Sequence, residues 1–182
     1  MINSFHPPSP FYEITFNEET QKYTIAFSTD LPDVRYENLK VTILETKTKT
    51  KVPVLCLTYP DAKYTVIYSH GNATDCGAMF VMYAMIALSL KVNVVGYDYT
   101  GYGASMKNNV RPTEKQTYKD IECVYDWCME TKLVTDPGKQ IILYGQSVGS
   151  GPFTYLATTR PVAGLVLHSP IMSGLRVVMK SR

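Results

Sequence analysis

After a Pro-rich start, apolar and polar residues alternate in short stretches, and after residue 63 this gives way to longer apolar runs separated by helical stretches. Phe11–Phe16 and Tyr23–Phe27 alternate with period two and predict a leading hairpin about Asn17–Gln21. Leu39–Thr46 and Val52–Tyr59 predict a second pair, joined by Lys47-Thr48-Lys49-Thr50-Lys51, whose lysines read as a solvated hairpin tip. From Tyr64 onward, strands at Tyr64–Tyr68, Val92–Tyr97, Ile141–Tyr144 and Val162–Leu167 alternate with helices at Asp75–Leu90, Pro112–Lys132 and Val148–Thr159. Pro112 suits a first helical turn, and Asp136-Pro137-Gly138 a turn into the next strand. Val162–Leu167 is apolar on both faces, as expected of an interior parallel strand. Units of this kind predict an α/β fold: antiparallel N-terminal strands leading into a mostly parallel sheet with helices on both faces. Ligands then bind at the carboxyl ends of the strands. One domain is expected over residues 1–182, with a Pro-rich segment at 1–10.

Composition narrows the partners more than the fold. The chain has 182 residues, 45% hydrophobic and 19% charged, with a net charge of +2. That balance gives no reason to expect nucleic acid or an anionic membrane surface as partner. The four cysteines, Cys56, Cys76, Cys123 and Cys128, show no C-x-x-C spacing. They read as free thiols of a reducing, cytoplasmic compartment, and neither a metal nor a cofactor is expected. Met1–Pro10 holds three prolines and no apolar core of the required length, so it does not read as a signal peptide. The uncharged stretch Cys76–Leu90 has 15 residues, short of the ~20 that a membrane span needs, and reads as a buried helix. Its Met79, Met82 and Met85 are expected to fill the core, the alternative being the wall of an acyl-chain groove.

The chemistry lies where apolar runs end. Gly145-Gln146-Ser147-Val148-Gly149 follows directly on Ile141–Tyr144. A strand, a sharp turn carrying serine and then small residues opening a helix make a nucleophile elbow, in which flanking side chains would collide with the strand or helix. Ser147 is therefore the candidate nucleophile. Tyr68-Ser69-His70-Gly71-Asn72-Ala73 ends another strand. In this arrangement the loop there gives one backbone N–H to an oxyanion hole and the residue after the nucleophile gives the second. Asn72 and Val148 are the expected donors, with Gly71, Gly145, Gln146 and Gly149 in support. His70 precedes the serine and reads as a loop histidine bonded to a nearby carbonyl. Asp98, in the Gly/Tyr-rich stretch Gly96–Gly103, reads as a carboxylate that accepts backbone N–H groups and holds its loop.

The segments Tyr68–Asp75 (YSHGNATD), Tyr97–Ser105 (YDYTGYGAS), Tyr144–Gly151 (YGQSVGSG) and Leu167–Pro170 (LHSP) resemble the alpha/beta hydrolase domain-containing 17 group of α/β-hydrolases. Phe5–Pro10 (FHPPSP) fits the same group, so the match runs in order over nearly the whole chain. The resemblance implies a serine hydrolase acting on S-acylated (palmitoylated) proteins, with Ser147 as nucleophile. Members carry an N-terminal cysteine cluster that is lipidated and anchors them to membranes; Met1–Pro10 has no cysteine, so peripheral membrane attachment does not carry over on those residues.

The group also continues beyond its LHSP strand with units bearing the triad aspartate and histidine, whereas this sequence stops at Arg182. No Asp or Glu follows Ser147, and the only later histidine is His168, read chiefly as a strand-end residue. Asp75, Asp98 and Asp126 lie upstream, out of the usual order of serine, acid, histidine. Loss of the base costs on the order of 10⁶ in kcat, so very slow turnover is expected of these residues alone. Self-association is expected if Val162–Leu167 lies at an open sheet edge. Two other functions fit the same residues: a catalytically dead domain that binds acylated proteins, and a general carboxylesterase, since fold does not fix substrate.

Overall fold

The computed structural model describes residues 5–28, 38–108 and 110–171, so the first four residues of the Pro-rich segment lie outside it. β1 (Tyr12–Asn17) and β2 (Lys22–Phe27) form a separate antiparallel ribbon. β3 (Leu39–Glu45) and β4 (Lys51–Leu57) form the second hairpin and begin a six-stranded sheet. It continues through β5 (Thr65–Ser69), β6 (Asn93–Tyr97), β7 (Ile141–Gln146) and β8 (Gly164–His168), in the order β3-β4-β6-β5-β7-β8. β3, β4 and β6 pair antiparallel, and β6, β5, β7 and β8 pair parallel.

Two-sided burial explains the continuous apolar runs. Along β4, Val52, Val54 and Cys56 enter one core layer with Ile121, Val124 and Phe153, while Leu55 and Leu57 enter the other with Phe80 and Tyr83. The first layer lies under α2 (Glu114–Glu130) and α4 (Ser150–Thr159), and the second under α1 (Cys76–Leu90). A four-residue helix, α3 (Pro137–Gln140), stands where the sequence predicts a turn into β7, with Pro at its start.

Two expectations are corrected. Thr113 caps α2 by accepting the Gln116 N–H, so Pro112 stands before the cap rather than in the first turn. Met82 and Met85 are 46% and 58% exposed and are not core residues. Three-residue steps fan them across the helix, while Phe80, Tyr83, Ala84 and Ala87 hold the buried stripe. Among the described residues β8 pairs only with β7, and its Leu165, Val166 and Leu167 are 38%, 42% and 39% exposed, the open edge on which the expected self-association depends. No described helix is long and apolar enough to cross a membrane.

Candidate active site

β7 delivers Ser147 to the carboxyl edge of the sheet with φ +52°, a left-handed conformation that side-chain-bearing residues seldom adopt. A 3₁₀ turn, Ser147–Gly149, leads directly into α4. The Ser150 hydroxyl locks that turn by donating to the Ser147 carbonyl at 2.6 Å. Gly149 has no room for a side chain, because a Cβ there would lie 2.3 Å from the Ser69 carbonyl oxygen. At Gly145 a Cβ would lie 2.7 Å from the Gly149 carbonyl oxygen. Both glycines are thus fixed by sterics, as the spacing of the motif predicts. Ser147, Val148 and Gln146 are half-buried, and Gln146 accepts the Tyr68 hydroxyl at 3.1 Å.

The loop leaving β5 faces this bend. A Cβ built on Gly71 would sit 4.0 Å from Ser147 Cβ, so Gly71 faces the serine and a side chain there would just meet it. Asn72 follows and is half-buried. Beneath them Ser69 is buried, its hydroxyl hydrogen-bonded to the phenols of Tyr97 (2.9 Å) and Tyr99 (2.8 Å). Tyr99 also donates to the His70 carbonyl.

His70 and Asp98 form the buried floor of the site. The ring of His70 is fully buried, with Nδ1 2.8 Å from the Gly71 carbonyl oxygen and Nε2 3.0 Å from Asp98 Oδ1. The second contact is close but too poorly aligned to count as a hydrogen bond. Asp98 accepts the Cys76 N–H at 2.9 Å and the hydroxyl of buried Tyr12. Its carboxylate thereby ties β1, the start of α1 and the loop after β6 together. Burial, then the negative charge of Asp98, pushes the Tyr12 phenol well above its ordinary value, which keeps it a donor. Tyr12 was not legible as part of the site, because an alternating strand shows only that some of its residues face inward.

The other candidate acids and bases are engaged elsewhere. Asp75 caps α1, accepting the Ala78 N–H at 2.9 Å and the Phe11 N–H at 2.7 Å; burial raises its pKa, with Asp98 adding to the shift. Asp126 lies 3.4 Å from Arg160 at the surface. His168 pairs beside Gln146 in the sheet and is exposed, its Nδ1 3.3 Å from the Tyr144 hydroxyl. Among the described residues no histidine is hydrogen-bonded to the Ser147 hydroxyl. Burial raises all four thiols, Cys56 to about 12 and Cys123 to about 11, so none competes with Ser147 as a thiolate. No cluster of His, Cys, Asp and Glu among the described residues could hold a metal ion.

Residues 60–180 match the family described as serine aminopeptidase, S33. The chain belongs to this family of α/β-hydrolases. It is similar to alpha/beta hydrolase domain-containing protein 17B of Homo sapiens, 36% identical over 180 residues that make up 96% of this chain and 60% of that protein. It is also 37% identical over 178 residues to the Caenorhabditis elegans alpha/beta hydrolase domain-containing protein aho-3, over 96% of this chain and 52% of that one. The chain therefore spans between half and two thirds of these relatives. Among solved structures, an esterase of Pyrococcus furiosus superposes with a TM-score of 0.59 at 20% identity, covering 78% of this chain and 54% of the esterase. A carboxyl esterase of Bacillus coagulans gives 0.59 at 14% identity, over 71% and 43%. At those identities the two structures speak for the α/β-hydrolase fold.

Proposed function

We propose that this chain carries the nucleophile and oxyanion half of a serine hydrolase that cleaves acyl thioesters on S-acylated proteins. Ser147 Oγ attacks the thioester carbonyl and gives up its proton through solvent, and the N–H groups of Asn72 and Val148 receive the developing oxyanion. The C–S bond then breaks, so that the acyl group stays on Ser147 while the cysteine sulfur takes the proton and leaves as the free thiol. Water then releases the fatty acid from the serine ester. The observation that carries this reading is the positive φ of Ser147 at the carboxyl end of β7, with Gly71 of the loop after β5 facing it. Preorganised backbone donors of this kind are worth ~10²–10³ in rate each. The thioester substrate follows from the ordered resemblance of the YSHGNATD, YDYTGYGAS and YGQSVGSG segments to the alpha/beta hydrolase domain-containing 17 group.

Incubation with an S-palmitoylated peptide, followed by mass spectrometry, tests this. Free peptide thiol should appear together with a palmitoyl adduct on the peptide containing Ser147, and both should vanish in Ser147→Ala. Equal thiol release by the Ser147→Ala variant would remove the reading. The binding-module alternative draws on the lack of a histidine hydrogen-bonded to Ser147 among the described residues. It predicts retention of the intact acylated peptide with no adduct.

A further inference from the structure

Residues 5–12 are fastened at four points to the loops around the serine bend. The Phe5 ring meets the Tyr102 ring edge-on, with centroids 6.4 Å apart. The His6 backbone N–H donates to Asn72 Oδ1 at 2.9 Å. The Phe11 N–H donates to Asp75 Oδ2 at 2.7 Å, and the Tyr12 hydroxyl reaches Asp98. Tyr102 completes the arrangement: its hydroxyl donates to the same Asn72 Oδ1 at 2.6 Å.

One oxygen atom thus collects donors from residues 6 and 102, 66 and 30 positions away from Asn72 in sequence. No strand or helix pairing enforces that meeting, since residues 5–10 have no regular secondary structure. Pro7, Pro8 and Pro10 restrict the segment's backbone, so docking it costs less conformational entropy than an ordinary tail would. Burial raises the Tyr102 phenol well above its ordinary value, so it remains a donor through the physiological range. The backbone of Asn72 follows directly on Gly71, which faces Ser147, and glycine there gives the loop no stiffness of its own. The Asn72 side chain, the His70 clamp on the Gly71 carbonyl and the Asp75 cap that follows all bear on its aim.

We propose that residues 5–11 are a latch on the oxyanion loop, with the Asn72 side chain as its catch and Tyr102 as a positioning residue for reaction at Ser147. Docked, the latch fixes the Asn72 N–H toward the serine; released, it takes the His6 donor from Asn72 Oδ1 and loosens the loop. Release of these residues from the body of the domain therefore slows the acylation step without altering how the acyl group is bound.

The inference rests on the reading of Ser147 as nucleophile, so its test uses one readout that needs no activity and one that does. In the 182-residue chain, Tyr102→Phe removes only the hydroxyl and keeps the ring against Phe5. Amide hydrogen exchange at residues 71–74 should quicken about tenfold, the value of one lost hydrogen bond, while the core amides of β5 and β7 hold. Deletion of residues 1–10 should produce the same local deprotection. Unchanged exchange in both variants would overturn the latch. With a fluorophosphonate, the maximal rate of Ser147 modification in Tyr102→Phe should fall five- to tenfold with the half-saturating probe concentration held within twofold. A change in half-saturation alone would overturn the positioning role. An unmodified parent chain that does not react at all would remove the hydrolase reading and the catalytic half of this inference, leaving exchange to decide the latch.

Discussion

Gly149 is pressed against Ser69 so closely that a methyl group on it would lie 2.3 Å from the Ser69 carbonyl oxygen. The contact joins the start of α4 to the end of β5, and so sets the height of the serine bend above the sheet. Backbone cannot yield as a flexible side chain does. Gly149→Ala should therefore destabilise the domain by about 3 kcal/mol, the upper end for overpacking, measured by urea unfolding. A loss below ~0.5 kcal/mol would show that the bend is not held by this contact.

Ser147 is held in a strained backbone conformation, with φ +52°. A left-handed conformation costs a non-glycine residue about 1–2 kcal/mol, and glycine carries no such penalty. Ser147→Gly should raise stability by about 1 kcal/mol while abolishing reaction at this position, whereas Ser147→Ala should abolish reaction with stability nearly unchanged. Equal stabilities for the glycine and alanine variants would contradict the strain.

Asp120 makes the stability depend on pH. It is buried in α2, accepting the Thr100 N–H and hydroxyl, each at 2.8 Å, and the Gln116 amide at 2.9 Å. Burial raises its pKa from the ordinary 3.8 to about 6, with the hydrogen bonds opposing. A carboxyl raised in the folded state favours folding most below pH 3.8 and loses that contribution as pH climbs through about 6. The loss is on the order of 3 kcal/mol between those limits. Asp120→Asn can keep these contacts by reversing hydroxyl and amide donors. It should flatten the stability profile between pH 4 and about 6, read by chemical denaturation at each pH. A parent profile as flat as the variant's would refute the shift.

Tyr12→Phe should cost about 2 kcal/mol, the range for a hydrogen bond to a charged group, because it strips a donor from the buried Asp98 carboxylate. Tyr23→Phe, on the same ribbon, is the control and should change stability by less than ~0.5 kcal/mol. Similar losses in both would mean that the Asp98 cluster holds nothing together.

What was legible from sequence follows a physical division. Apolar runs and helix periods report burial along a strand or around a helix, so the element order and the sheet's parallel half could be read. The elbow and the YSHGNATD loop were legible because glycine and serine at fixed spacing have few other uses after a strand. Tyr12, Tyr102 and the His6 N–H were not, because their roles arise from contacts 30 to 86 residues apart that no local pattern encodes. The position of β8 also depends on what neighbours it, which an apolar run alone does not specify.

Fluorophosphonate labelling of the 182-residue chain, with the modified residue mapped by mass spectrometry, bears most directly on the central claim. Slow, stoichiometric modification confined to Ser147 and lost in Ser147→Ala is the expected result. Modification of Ser147 no faster than that of the exposed serines of the folded chain, or modification at another residue in its place, would contradict it.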